Sequence, residues 1–239
     1  HRGIFYDSIP AIAEDVLRRT LTNETVEEEN KENKMIIPRD HFIDMVTGES
    51  SEAVWNKAGI IRAVISDVDG VFTDNTVDPL SPSKRRSYYD GQGVSLLRAI
   101  GVRVCLITSE KNEASRHIRD VVEKWNKLSS TSKAPGDGGW ELVRLYEGSY
   151  GGGKVAKAEE WLKEVGLTFS DCAYMGDDLV DVEILRKVLL RAAPANADIA
   201  IRSIVDFVSQ RSGGNGAFRD FANFILTAWG INPLTLPPQ

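Results

Sequence analysis

From Ile61 onward, short apolar runs alternate with stretches in which apolar positions recur every three or four residues. The runs are 61–66, 102–108, 142–146, 172–176 and 188–192, and the amphipathic stretches are 94–99, 112–128, 155–165, 179–187 and 217–228. An apolar run without alternation is a strand buried on both faces, and its repetition between helices predicts a parallel sheet covered on both sides. The fold class expected is therefore α/β, a doubly wound parallel sheet. Ahead of it, Ile9, Ile12, Val16 and Leu17 share one helical face after Ser8 and Pro10, which predicts an amphipathic helix over 8–22. Residues 23–35 are polar and acidic with little to bury and read as a linker, followed by a short helix over 50–58. The organisation expected is an N-terminal helical extension and linker over 1–58, an α/β domain over 59–230 and a tail over 231–239.

Composition narrows the partners. Of 239 residues, 42% are hydrophobic and 27% charged, enough to build a full core, and a formal net charge of -6 disfavours nucleic acid, whose phosphates require clustered Lys and Arg. Cys105 and Cys172 lie inside apolar runs, where buried free thiols are expected rather than a disulfide. No stretch approaches a membrane span and no charged-then-apolar leader stands at the start, so a cytoplasmic location is expected.

In a doubly wound sheet, ligands bind beyond the carboxyl ends of the strands. The polar residues fall there. The first strand runs into Asp67-Val68-Asp69-Gly70, the second into Thr108-Ser109, and the fourth into Gly176-Asp177-Asp178-Leu179-Val180-Asp181. Carboxylates massed at one edge repel by roughly 4 kcal/mol per close pair at an effective dielectric of 20, so a divalent cation is the simplest resolution. Hard oxygen ligands facing a phosphate favour magnesium. Asp67 and Asp69, two apart before the Gly70 turn, can both face the pocket, one attacking phosphorus while the other handles the leaving-group proton. Lys154, after Gly151-Gly152-Gly153 at a helix start, is placed to hold a phosphate and a carboxylate, with Lys157 its rival. Thr108 can donate its hydroxyl to a phosphate oxygen.

These residues resemble, in order, the four motifs of the haloacid dehalogenase superfamily: Asp-Val-Asp-Gly-Val-Phe-Thr-Asp (67–74), Leu-Ile-Thr-Ser (106–109), Lys154 and Gly-Asp-Asp-Leu-Val-Asp (176–181). The resemblance implies Asp67 as nucleophile, Asp69 as general acid and base, Thr108, Ser109 and Lys154 as phosphate binders, and Asp67, Asp69 (through its backbone carbonyl) and Asp177 as magnesium ligands. Asp178 and Asp181 would stand in the inner or outer ligand shell of the metal. Only 41 residues separate Asp67 from Thr108 and 23 separate Lys154 from Asp177, which leaves no room for a cap domain. A short β flap over 75–90 would wall the site instead.

The capless spacing, the flap followed by Asp90-Gly91-Gln92-Gly93-Val94, and Gly213-Gly214-Asn215-Gly216-Ala217-Phe218-Arg219 look like the 3-deoxy-octulosonate 8-phosphate phosphatase family, which includes nonulosonate 9-phosphatases and phosphatase-like domains of acylneuraminate cytidylyltransferases. Glu110-Lys111, where octulosonate enzymes usually carry Arg after Thr-Gly, resembles the nine-carbon branch. The resemblance implies a small phosphorylated sugar acid as substrate, a homotetramer, and substrate contacts from Glu110, Lys111, Arg85, Arg86 and Arg219. The expectation is a 3-deoxy-nonulosonate 9-phosphate phosphatase. The alternatives are an octulosonate 8-phosphatase and a non-catalytic tetramerising module of a CMP-sialate synthetase.

Overall fold

In the computed structural model, which describes residues 37–47, 51–77 and 84–236, the apolar runs become six parallel strands. They are β1 (Ala63–Ser66), β2 (Arg103–Ile107), β3 (Arg144–Tyr146), β4 (Cys172–Met175), β5 (Leu190–Ala193) and β6 (Phe207–Val208), in the order β3-β2-β1-β4-β5-β6. The helices are α1 (Ser51–Ala58), α2 (Tyr88–Ala99), α3 (Arg116–Trp125), α4 (Gly152–Glu164), α5 (Val182–Leu185), α6 (Ile199–Arg202) and α7 (Ala217–Ala228). Successive residues of a strand point to opposite faces, so each apolar run feeds two cores. Val64, Val104, Leu106, Ala173 and Met175 pack with α1, α2, α3 and α7. Ala63, Ile65, Cys105, Ile107, Cys172 and Tyr174 pack with α4, α5 and α6. Both cysteines are buried free thiols. The strand order reverses between β1 and β4, which opens a crevice at their carboxyl ends.

Several elements depart from their expected limits for local reasons. Helix α2 starts at Tyr88, six residues before the expected Val94, with the Ser87 hydroxyl accepting from the Tyr89 N–H at 3.1 Å. Its glycines disfavour a helix in isolation. Here Gly93 allows close helix packing, because a Cβ on it would lie a tight 3.1 Å from Arg219 Cα of α7. Helix α3 starts at Arg116 rather than 112, because Asn112 has φ 57°. The expected helix over 179–187 is split into a 3-10 turn, Leu179–Asp181, and the single turn of α5. Strand β6 and helix α6 carried no distinct periodicity.

The polar insertion 126–140 folds as two 3-10 turns, pinned by Asn126, whose amide both donates to the Val143 carbonyl and accepts from its N–H, and by buried Trp140 beneath the Arg98 guanidinium. At the base of the expected flap, Thr73 and Arg86 form an antiparallel bridge. Its residues 78–83 lie outside the described residues, and Tyr88–Asp90 form the first turn of α2. Among the described residues no cap domain interrupts β1–β2 or α4–β4, and no helix is long and apolar enough to cross a membrane. The helix expected over 8–22 and the linker over 23–35 lie outside the described residues.

Residues 37–47 and 51–58 enter the core. Phe42, Met45, Val54 and Trp55 are buried, and the Trp55 and Phe224 rings lie 4.5 Å apart between centroids. Val46 bridges Phe207 of edge strand β6, and the Thr47 N–H donates to the Asp206 carbonyl at 2.8 Å, so this segment covers what would otherwise be an open sheet edge. Asp206 has no solvent exposure. Its carboxylate accepts from Arg191 Nε and a second guanidinium nitrogen at 2.9 and 2.7 Å, and from Lys57 of α1 at 3.3 Å. Burial pushes this carboxyl up, but the hydrogen bonds from Arg191 and the nearby Arg191 and Lys57 charges outweigh it and hold it below its ordinary value.

Because the folded value lies below the unfolded one, the stabilisation is full above the unfolded value near pH 4 and is lost as pH falls through the folded value. Asp206→Asn is expected to lower stability at pH 7 by about 2–4 kcal/mol, since it leaves a partly buried guanidinium without its carboxylate. It should also flatten the stability loss below about pH 4. Urea denaturation at pH 7 and pH 3 checks both.

Candidate active site

Asp67 continues β1 by one residue, its N–H donating to the Met175 carbonyl at 2.9 Å. Its Oδ1 accepts from the Val68 N–H at 2.7 Å and lies 3.0 Å from the Lys154 ammonium. The chain then turns, with the N–H groups of Val71, Phe72 and Thr73 converging on the Val68 carbonyl. Gly70, at φ 88°, makes the turn possible in a second way: a Cβ there would lie 1.9 Å from Asp177 Oδ2, so any larger residue would expel that carboxylate. Asp69 is held by different partners, with Thr108 donating to Oδ2 at 3.0 Å and Lys84 to Oδ1 at 2.5 Å.

After β4, the chain folds around Asp181. Its Oδ2 accepts from the Asp177 and Asp178 N–H groups at 3.1 and 3.4 Å, and its Oδ1 from Lys154 at 2.7 Å and the Tyr174 hydroxyl at 2.6 Å. Asp178 uses Oδ1 to cap Leu179, and Asp177 Oδ2 accepts from Asn75 at 3.2 Å. Lys154 rises from the first turn of α4 with no exposed surface, whereas Lys157 is paired on the surface with Glu160. Among the described residues, oxygens of Asp67, Asp177 and Asp181 lie within 4.8 Å of one another.

The electrostatics are those of excess negative charge. Burial, then the Asp181 charge, pushes Asp67 well above the usual carboxylate range against the pull of Lys154. Burial, then Asp181 and Asp178, raises Asp177 to about 7. Burial works against the Lys154 ammonium, yet the flanking Asp67 and Asp181 carboxylates raise its value. One ammonium does not neutralise this set, and a divalent cation would. The donors are all oxygens, with no His or Cys among them, which is the set magnesium takes. Asp181 is already saturated by four donors, which leaves Asp67 and Asp177 as the carboxylates free to turn to an ion.

A cleft of about 130 Å³ opens over these groups, with Asp67, Asp69, Ser109, Glu110, Asp177 and Asp178 in its walls. Ser109 reaches it because β2 ends beside β3, where the Thr108 N–H donates to the Tyr146 carbonyl, whereas Thr108 itself is buried with its hydroxyl turned to Asp69. Lys111 is exposed, with its stem against Gly148, and Arg85 is exposed. Arg86 and Arg219 line a second cavity of about 670 Å³ with Tyr88, Tyr89 and Gln92.

The late glycine segment supports the site rather than lining it. A Cβ on Gly213 would lie 1.7 Å from the Gly70 carbonyl, and the Asp90 carboxylate accepts from the N–H groups of Gly216 and Arg219 at the start of α7. Burial raises that Asp90 carboxyl to about 6 despite these hydrogen bonds. Lys84, Asn75 and Tyr174 were not singled out as site residues. Tyr174 is one more apolar position of β4 by pattern, and the other two carry no motif, although an asparagine at φ 60° marks Asn75 as a built turn.

No family model matches the chain. It is 28% identical over 186 residues to the 3-deoxy-D-manno-octulosonate 8-phosphate phosphatase KdsC of Salmonella typhi, covering 77% of this chain and 88% of that protein. A probable YrbI family phosphatase from Pseudomonas syringae is 30% identical with a TM-score of 0.59, covering 75% of this chain and 93% of that one. The cobalt-bound deoxy-D-mannose-octulosonate 8-phosphate phosphatase (YrbI) of Haemophilus influenzae is 29% identical with a TM-score of 0.58, covering 73% and 92%. With strand order, the four motif positions and these likenesses in agreement, the chain belongs to the haloacid dehalogenase superfamily, in its capless 3-deoxy-D-manno-octulosonate 8-phosphate phosphatase family, and is a phosphatase.

Proposed function

We propose that this chain is a magnesium-dependent phosphomonoesterase that hydrolyses 3-deoxy-D-manno-octulosonate 8-phosphate through a phospho-Asp67 intermediate. The observation that carries the mechanism is the division of labour between two carboxylates on one turn: Asp67 is tethered at Oδ1 to Lys154 and Val68, and Asp69 is held apart from it by Thr108 and Lys84. Asp67 Oδ2 forms the bond to phosphorus as the bond from phosphorus to the sugar oxygen breaks, and Asp69 gives its proton to that oxygen. Water then attacks the phosphorus of phospho-Asp67 while Asp69 takes back a proton, which releases phosphate and restores the Asp67 carboxylate. Lys154, Thr108 and Ser109 hold phosphoryl oxygens, with Thr108 redirecting to phosphate the proton that it gives Asp69 in the free chain. Asp67, Asp177 and the Asp69 backbone carbonyl would hold magnesium, which would supply positive charge to offset that on the phosphoryl oxygens. Asp181 orients Lys154 and the Asp177 backbone, and Asp178 caps its turn.

The eight-carbon substrate is favoured over the nine-carbon one first expected, because the curated relatives that match over most of their length act on the octulosonate 8-phosphate. One observation favours the nine-carbon acid as a second reading. Glu110 lies in the cleft wall where octulosonate enzymes usually carry Arg, and it can accept hydrogen bonds from additional hydroxyl or amide groups. Glu110 is the substrate contact retained from the sequence. Arg85 and Lys111 are exposed, and Arg86 and Arg219 belong to the second cavity.

Phosphate release from the octulosonate 8-phosphate and a nonulosonate 9-phosphate, each with magnesium and with EDTA, is expected to be metal-dependent and faster for the first. Preference for the second moves the assignment to the nine-carbon branch, and no release from either refutes it. Asp67→Asn is expected to lower kcat by at least about a thousandfold with an unchanged circular dichroism spectrum, and turnover near the unsubstituted level would remove Asp67 from the nucleophile role. The homotetramer implied by the family is checked by light scattering on the eluting protein. A monomeric mass would refute it.

A further inference from the structure

An acidic sugar phosphate meets an acidic cleft. Asp67, Asp69, Glu110, Asp177 and Asp178 line it, and Lys154 is fully buried behind Asp67 and Asp181. Among the described residues, the cation that reaches the cleft's edge is Lys84, whose ammonium lies 2.5 Å from Asp69 Oδ1 and 3.7 Å from Glu110 Oε1. Its backbone is placed by the bridge between Arg86 and Thr73, two residues further on, where the chain returns beside the Asp67–Thr73 turn. Both partners belong to the cleft rather than to the core. Asp69 is the group proposed to protonate the leaving oxygen and Glu110 stands across from it, so Lys84 sits on the leaving-group side, away from the phosphoryl side served by Lys154.

Two of the three arginines expected to contact the substrate are engaged elsewhere, and the third, Arg85, is exposed. Arg86 stacks on Tyr88, with its guanidinium 5.6 Å from the ring centroid, and Arg219 Nε donates to Asn223 at 3.1 Å.

We propose that Lys84 is a specificity-determining residue that binds the carboxylate of the sugar-acid leaving group, its ammonium passing from Asp69 to the substrate as the cleft fills. The inference rests on reading the cleft as that of a sugar-acid phosphatase. Only ion pairs are exchanged in this step, and no covalent bond changes. Its consequence is selective: an acidic substrate draws Lys84 away and leaves Asp69 Oδ1 facing the bridging oxygen, whereas a neutral sugar phosphate leaves the ammonium on Asp69.

The test compares kcat/KM, with magnesium, for 3-deoxy-D-manno-octulosonate 8-phosphate and mannose 6-phosphate in the unsubstituted chain, Lys84→Met and Lys84→Arg. The ratio of acidic to neutral substrate is expected to fall at least about tenfold in Lys84→Met, the loss of one charge-assisted contact, mainly through KM of the acidic substrate, and to recover in part in Lys84→Arg. A ratio within about twofold of the original, whatever the absolute rates, overturns the proposal, because loss of a merely structural lysine lowers both substrates alike. Calorimetric binding of the free octulosonate needs no turnover. Weaker binding by Lys84→Met supports the proposal and equal binding overturns it. A chain that binds the acid but releases no phosphate refutes the phosphatase mechanism and leaves Lys84 to be judged by the calorimetry.

Discussion

Lys154 enters the interior with no exposed surface and places its ammonium 3.0 Å from Asp67 and 2.7 Å from Asp181. A buried ammonium is tolerated only where anions and hydrogen bonds replace the lost water, and removing one partner from such a cluster costs on the order of 3–5 kcal/mol. The contact therefore constrains three parts of the chain at once. It requires α4 to begin against the sheet, β1 to end at Asp67, and the chain after β4 to double back until Asp181 returns to its own strand. Tyr174 completes the enclosure from within β4, its hydroxyl spent on Asp181. Asp181 is thus the keystone of the anionic edge, and Asp67 and Asp177 keep the oxygens that can turn outward.

Close backbone approach is the second constraint, and it explains why glycines stand where they do. Gly70 admits the Asp177 carboxylate, and Gly213 lies against the Gly70 carbonyl at a distance no side chain would permit. Two loops separated by more than a hundred residues are stacked so that the Asp67–Thr73 turn has little freedom to relax. Asp90 extends the same logic by joining the start of α2 to the start of α7, which pack closely at Gly93. Lys84 and Glu110, longer side chains, meet beside Asp69 at the edge of the Asp67–Thr73 turn.

Residues 39–47 and 51–58 illustrate how segments of modest pattern become structural. Phe42 and Trp55 close the core over α7, while Val46 and Thr47 cover strand β6. Lys57 and Arg191 then meet on the Asp206 carboxylate, so the sheet edge is closed by hydrogen bonds and charge together.

The sequence by itself determined the α/β class, because strands buried on both faces must be apolar throughout and the helices between them amphipathic. It also located carboxylates at strand ends, where a parallel sheet delivers its polar groups, and so singled out as candidates Asp67, Asp69, Thr108, Lys154 and Asp177, which the fold brings together at one edge. Tertiary structure alone decided which lysine is buried, since Lys154 and Lys157 are both cations on the first turns of one helix and only packing separates them. It decided that Asp181 is saturated, that Arg86 and Arg219 line a different cavity from the cleft, and that Lys84 faces Asp69. Those outcomes depend on contacts between residues distant in the chain, and a distance across a fold leaves no periodicity along it.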